Sequence, residues 1–470
     1  MIAEMVKDRA HVNERVEEAV KKAHELQPLL NDVITFVDPA EQLASMPEDG
    51  LMYGVPIALK DNVNTCGTLT TAGSRILSNY IPIYNAHIVD KLKAAGAINI
   101  CKASMDELAM GGTNLTCYTG PVYNPWDRTR MAGGSSGGSA ALVSSGVVPF
   151  AIGSDTGDSV RKPASFCGVV GVKPTYGRIS RYGIIPYSSS LDHVGYFTAN
   201  VEDACIGLEV LAGRDDRDMT SSYEPVKEYS KLLNSDMTGK KIAIFGNVMD
   251  ACQKEETTAM FNKLMDQLKE RGAIVEKVNF SEDLMKALLP TYYLIANCEA
   301  TANHSNLDGL RYGNTQPGNS TEEIMMATRT HGFGPLIRKR FVIGSYGLFE
   351  ENQERLFRQA QKVRRLIVNE VAECLKEYDC LIAPASTDIA PKLDDKSRDQ
   401  LSDGYLIAEN HMVVGNFTGY PSMTVPMGFI DNCPIGVNLT CRAFEEDTMF
   451  NIGKAIEECT GLKDLHPEVK

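Results

Sequence analysis

Apolar positions recur at helical spacing along the first thirty residues, and Val33 to Val37, stopped by Asp38-Pro39, has the period of a strand. Strand and helix signals then alternate. Val55 to Leu59 predicts a strand ending at Lys60, Ala97 to Cys101 predicts another, and Met105 to Met110 predicts a helical segment. Such alternation implies parallel βα units. From Asn124 to Ser190 the pattern dissolves into Gly, Ser, Thr and Pro, with a helical period surviving only across Gly138 to Val147, as in loops that carry function. Beyond Asp203 it resumes, with strands at Lys241 to Phe245 and Ala273 to Phe280 flanking a helix at Thr257 to Arg271. Leu356, Ala360, Val363, Ile367, Val371 and Cys374 then draw one apolar stripe down a long helix that runs into a strand at Cys380 to Ala383; the stripe reads as core, not as a binding surface. No repeat, low-complexity linker or charge block divides the chain. A single large α/β domain is therefore expected in place of the roughly three that the length alone suggests.

Composition narrows the function classes. With 43% hydrophobic and 23% charged residues the chain is an ordinary globular protein. Its 61 acidic against 47 basic residues give a net charge of −14, so the surface as a whole repels a phosphate backbone, and no basic run offsets that. The N-terminus mixes charged and apolar residues and has no signal-peptide core, and the most apolar stretch, AALVSSGVVPFAIG at 140–153, is too short for a bilayer. A cytoplasmic location without membrane attachment is expected. The 12 Cys lack any C-x-x-C pair and read as buried thiols, and the eight His show no metal-ligand spacing, so no metal is expected.

Two Gly/Ser segments carry candidate chemistry. Gly133-Gly134-Ser135-Ser136-Gly137-Gly138-Ser139 reads as a phosphate loop, a nucleophile elbow or a flexible linker. The first needs a Lys where Ser139 and Ala140 stand, and the second needs a strand where NPWDRTRMA stands. The other segment, Gly153 to Ser159, begins 18 residues past Ser135 and offers consecutive turn amides, a nest for an oxyanion. Ser159 with Lys162 also spells S-x-x-K, which would make Lys162 the base, although the S-D-N and K-T-G elements that accompany that motif are absent. A Ser-His-Asp triad stays open, with no His inside the Gly/Ser segment.

GVPIALKDN at 54–62, GGSSGGSAA at 133–141 and GSDTGDSVRKPASFCGVVGVKPTYGRISRYG at 153–183 resemble the three blocks of the amidase signature family, and the likeness covers nearly the whole chain. YYLIANCEATANHSNLDGLRYG at 292–313 and GFGPLIRKRFVIGSYGL at 332–348 are similar to its glutaminase branch, which serves tRNA-dependent amidation. The resemblance implies an α/β fold with a large mixed β-sheet core covered by helices on both faces, as one domain over 1–470 with its signature core at about 54–200. It also implies a catalytic unit of Ser159 as nucleophile, Ser135 as bridging serine after a cis peptide at Gly134, and Lys60 as base. A lysine can serve so only when burial makes it neutral. By the same likeness the backbone amides of Thr156, Gly157, Asp158 and Ser159 form the oxyanion hole, Arg340 clamps the substrate carboxylate, Tyr292 is a pocket tyrosine and Glu409, in place of the family's Asp, meets the ammonium. Met110 lines the pocket or sits in the core.

The implied substrate is L-glutamine, and no cofactor is implied in this chain. The implied partners are a B subunit, which uses ATP and Mg²⁺ and holds the mischarged Glu-tRNA(Gln) or Asp-tRNA(Asn), and a small C subunit. The alternatives are a stand-alone small-molecule amidase and a non-catalytic scaffold. The chain departs from the family pattern at Asp158, usually Gly, at Lys162, usually Gln, and at Ala132, usually Pro. Asp158 is expected to point away from the oxyanion hole and to pair with Lys162.

Overall fold

Eleven strands assemble into one sheet: β1 (Val33–Phe36), β2 (Pro56–Lys60), β3 (Ile98–Ala103), β4 (Phe150–Asp155), β5 (Val170–Lys173), β6 (His193–Thr198), β7 (Lys241–Phe245), β8 (Ile274–Val278), β9 (Cys380–Pro384), β10 (Ser422–Ile430) and β11 (Cys433–Thr440). The computed structural model describes residues 1–395 and 404–469. Strand order is β1-β3-β2-β4-β6-β5-β10-β11-β9-β7-β8. The expected parallel βα pattern holds at both flanks, where β2 pairs parallel with β3 and β4 and β7 pairs parallel with β8 and β9. It fails in the middle, where β4, β6, β5, β10, β11 and β9 run antiparallel in succession. One cause is local: Asp431 and Asn432, with φ of +50° and +61°, close β10 onto β11 in a two-residue hairpin, a turn that yields only an antiparallel pair. The sheet is thus mixed.

Strand side chains alternate between two buried faces. Ile57 and Leu59 of β2 pack with Val89, Leu92 and Leu208 on one side, while Ala58 packs with Ala140 and Leu142 of the helix Gly137–Ser144 on the other. Helices cover both faces, which is why these strands carry apolar residues at nearly every position. The stripe on the long helix is core as expected, with Ala360, Ile367 and Val371 buried along Gln359–Glu377. One expectation changes. The segment from Met105 to Met110 forms only a short 3₁₀ turn at Glu107–Ala109, because Leu108 and Ala109 have φ of +52° and +59°, where a helix cannot propagate. The first thirty residues are helical as expected, in two helices, Ile2–Lys7 and Val12–Leu30. Among the described residues no helix is long and apolar enough to cross a membrane.

Candidate active site

Lys60 and Asp155 are the last residues of β2 and β4, which lie side by side and parallel, so both project from the carboxyl end of the sheet, where ligands of α/β folds gather. After β4 the chain turns through Thr156–Val160 into the helix Arg161–Cys167. Asp155 holds that turn closed. Its Oδ2 accepts the Val160 amide at 3.0 Å and Arg161 Nε at 3.0 Å, and its Oδ1 accepts Arg161 Nη2 at 2.8 Å and Asn416 Nδ2 at 2.9 Å. Burial alone would raise the Asp155 carboxyl, but the Arg161 guanidinium holds it well below the usual carboxylate range. Arg161 Nη2 also donates to the Gly157 carbonyl at 2.8 Å, and because C=O and N–H of a trans peptide point opposite ways, the next amide faces away from the arginine. The amides of Gly157 and Ser159 make no hydrogen bond to another described residue, so they remain available to an oxyanion. Asp155→Ala leaves Arg161 charged and fully buried without its partner, and should lower unfolding free energy by about 3–5 kcal/mol in a urea titration.

Lys60 is fully buried beneath this turn. Its Nζ lies 2.8 Å from Ser135 Oγ, 2.7 Å from Ser136 Oγ and 2.9 Å from Ser154 Oγ. Burial lowers its pKa to about 7, against the opposing pull of Asp106, Asp155 and Asp192. Among the described residues two other lysines are as deeply buried, but Lys102 donates to the Val63 carbonyl and Thr70 and faces Asp61 at 3.7 Å, and Lys173 donates to the Tyr420 carbonyl at 2.5 Å. Lys60 is the buried lysine that meets a cluster of serines. The Gly134-Ser135 peptide is cis, and the Ser136 amide donates to the Ser159 carbonyl at 3.2 Å, bringing the two Gly/Ser segments together. The Ser159 hydroxyl makes no hydrogen bond to another described residue.

The competing readings of these segments fail on geometry. Lys162 cannot act as base for Ser159, because its Nζ pairs with Glu409 Oε2 at 2.8 Å. Ser136 stands at the start of a helix that no strand precedes, and its hydroxyl donates to the Ser154 carbonyl at 3.1 Å. No histidine bonds to Ser135, Ser136 or Ser159 among the described residues; His193 and His411 bond through Nδ1 to the carbonyls of Leu191 and Ala408.

Gly157, Asp158 and Lys162 open onto a cavity of about 690 Å³, walled also by Tyr292, Arg340 and Glu409. Tyr292 stands on the helix Leu288–Asn303 and Arg340 on Pro335–Leu348, and the two helices cross closely: a Cβ at Gly344 would lie 2.1 Å from the Asn297 carbonyl oxygen. Arg340, 7% exposed, donates to the Tyr187 hydroxyl and faces the Tyr293 ring at 5.3 Å. The structure decides between the two readings of Met110, corrects the expected Asp158–Lys162 pair and shows the surroundings of Glu409. Met110 lies fully buried in an apolar cluster with Ile76, Leu77 and Tyr187 and does not wall the cavity, because its unbranched side chain fills core volume. Lys162 pairs with Glu409 rather than Asp158, because its side chain extends across to the wall on which Glu409 stands, 2.8 Å from Oε2. Glu409 is consequently neutralised: burial would raise its carboxyl, but Lys162 and Thr387 hold it down to about 2.

Ser154, Asp155, Arg161, Asn416 and Asp106 also belong to the site although none of them was a named candidate, and Ser136, the serine of the elbow reading, belongs to it as a partner of Lys60. Asp106 accepts the amides of Gly112 at 2.9 Å and Asn114 at 2.8 Å, shaping the cavity wall. Asp155 and Arg161 fall inside the block at 153–183, where a signal existed; Asn416 stands 255 residues from its partner Arg161, and no spacing rule reaches it.

The amidase family profile matches residues 14–450. Among the relatives is the glutamyl-tRNA(Gln) amidotransferase A chain of Pediococcus pentosaceus, 38% identical over 98% of this chain and 95% of that one. The crystal structure of the protein of that name from Thermotoga maritima superposes with a TM-score of 0.81 at 36% identity, covering 97% of this chain and 95% of that one. The peptide amidase of Stenotrophomonas maltophilia superposes with a TM-score of 0.84 at 26% identity, covering 100% and 97%. Profile, relatives and architecture agree, and this chain belongs to the amidase family.

Proposed function

We propose that this chain is the glutaminase component of a tRNA-dependent amidotransferase, with residues 1–470 acting as one domain in the cytoplasm. The observation that carries the reading is Lys60, fully buried, with a pKa near 7 and its Nζ 2.8 Å from Ser135 Oγ. A lysine that gives up its proton near neutrality and is bonded to a serine can draw a proton along a hydroxyl relay. Ser159 Oγ attacks the side-chain amide carbon of L-glutamine, and its proton passes through Ser135 to Lys60. The oxygen that becomes negative is met by the amides of Thr156, Gly157, Asp158 and Ser159; one such donor contributes roughly 3 kcal/mol. The protonated Lys60 returns the proton by the same relay to the leaving nitrogen, which departs as ammonia. Water then attacks the γ-glutamyl ester on Ser159, glutamate leaves, and the serine is restored.

The names of the relatives support the tRNA-dependent part of the reading. The ammonia would pass to a B subunit that spends ATP with Mg²⁺ on activating Glu-tRNA(Gln) or Asp-tRNA(Asn), with a small C subunit completing the complex. A net charge of −14 favours tRNA contact through the partner. The test is ammonia release from L-glutamine by the chain assembled with its partners. Release supports the reading, and its absence from an intact complex supplied with aminoacyl-tRNA and ATP would replace glutamine with another amide. Within the same assay Arg340→Met should raise KM for glutamine by roughly 10-fold or more with a smaller change in kcat, since a bidentate carboxylate contact binds ground state and transition state alike.

A further inference from the structure

Arg161 and Arg340 are both buried at the site but are partnered differently. Arg161 meets a carboxylate, Asp155, at 2.8 Å, so its charge is balanced inside the protein. Arg340 has as its one side-chain hydrogen-bond partner among the described residues the hydroxyl of Tyr187, and it faces two rings, Tyr293 at 5.3 Å and Tyr187 at 5.7 Å. A phenol accepts a hydrogen bond without cancelling a charge. Burial lifts the Tyr187 phenol above its ordinary value, against the opposing pull of Arg340, so it stays un-ionised at neutral pH. The guanidinium therefore keeps its charge and its remaining N–H groups for a ligand in the cavity that it walls.

Tyr187 is itself held from two sides through its backbone. Its amide donates to Asp192 Oδ2 at 2.8 Å, and its carbonyl accepts Asn303 Nδ2 at 3.2 Å from the helix that carries Tyr292 and Tyr293. Asp192 reaches the reacting end as well: its Oδ1 accepts the Thr156 hydroxyl at 2.7 Å. Thr156 begins the turn that leads to Ser159, so one buried carboxylate ties the segment carrying Tyr187 to the turn that offers its amides to an oxyanion. The cation for a carboxylate and the donors for the reacting carbonyl are thereby set at a fixed separation, which suits a substrate of fixed length.

We propose that Tyr187 is a positioning residue for the substrate carboxylate: its hydroxyl fixes the direction of the Arg340 guanidinium, and Asp192 fixes Tyr187 relative to the oxyanion turn. This role rests on the glutamine reading and deepens it. A planar guanidinium takes a carboxylate through two parallel N–H bonds in one orientation only. Held by a hydroxyl before the substrate arrives, it needs no reordering on binding, and such preorganisation lowers the cost of association. Without the hydroxyl the guanidinium explores other orientations, and the carboxylate is bound less tightly. An amide that lacks the carboxylate gains nothing from the device. The discriminating pair is L-glutamine and γ-aminobutyramide, which keeps the amide and the ammonium and has no carboxylate.

Ammonia release from both amides is measured with the chain assembled with its partners, at high enzyme and substrate concentration for γ-aminobutyramide. Tyr187→Phe removes one oxygen and keeps the ring. It is expected to raise KM for glutamine by about 5-fold or more with a smaller change in kcat, and to leave kcat/KM for γ-aminobutyramide within about twofold of wild type. The second amide thus reports that the variant is folded and its reacting centre intact. Because Tyr187 acts through Arg340, adding Tyr187→Phe to Arg340→Met should cost glutamine nothing more, a non-additivity that a merely structural role would not produce. An unchanged KM for glutamine, an equal loss with both amides, or a full second loss in the double variant overturns the proposal and leaves the glutamine reading standing. A wild-type complex that releases no ammonia from glutamine removes both.

Discussion

Ser159→Ala is expected to lower ammonia release from L-glutamine by on the order of 10⁴-fold or more while the protein stays folded. Ser159 is 5% exposed and its hydroxyl makes no hydrogen bond to another described residue, so the loss of that oxygen removes few stabilising contacts. What disappears is the oxygen that forms the ester, and neither Ser135 nor Ser136 can replace it. Both of those hydroxyls stand against Lys60 Nζ, at 2.8 and 2.7 Å, beneath the turn whose amides face the cavity. The check is steady-state ammonia release beside a thermal melt of each protein. A variant that keeps a tenth of the activity would place the nucleophile elsewhere.

Replacing Lys60 with Met should cause a fall of similar size, because Ser135 and Ser159 then have no group to accept a proton. Lys60→Arg should fare no better, as a guanidinium stays charged at every accessible pH. The wild-type pH profile provides an independent test. The reactive form of Lys60 is the neutral amine, and burial sets its pKa at about 7. Below that value the neutral fraction falls tenfold per pH unit, so kcat/KM should rise with pH on a slope of about one and level off above neutrality. An activity that climbs only above pH 9 would mean that the base is an ordinary exposed lysine.

Much of the flanking structure was legible along the chain. Strands β1, β2, β3, β7, β8 and β9 fall where the sequence pattern predicted them, most of them as short apolar runs bounded by polar residues. The strands β4, β5, β6, β10 and β11 went unread, and glycine is part of the reason. At Gly153, Gly171 and Gly195 a Cβ would come within 2.8, 2.5 and 2.5 Å of Phe197, Ala164 and the Val172 carbonyl, so close packing demands the residue that weakens a strand signal. The region resembling loops is therefore the centre of the sheet.

The catalytic trio divides in the same way. Lys60, Ser135 and Ser159 could be named from three short blocks, since each block carries its residue in a recognisable local setting. What the sequence by itself determined is which residue types stand ready: a lysine ending an apolar strand, two serines among glycines, an arginine and a tyrosine on later helices. Only the tertiary structure decided their company. Lys60 gives up its proton near neutrality because the folded chain surrounds it with three serines and shuts out water, and the amides of the turn are aimed by Arg161, which directly follows it, with Asn416, 255 residues further along, holding the arginine. Glu409 matched an ammonium site by position, yet Lys162, 247 residues away in sequence, neutralises it. Pairings of that kind depend on distance in space, and charges far apart along the chain give no local pattern from which to read them.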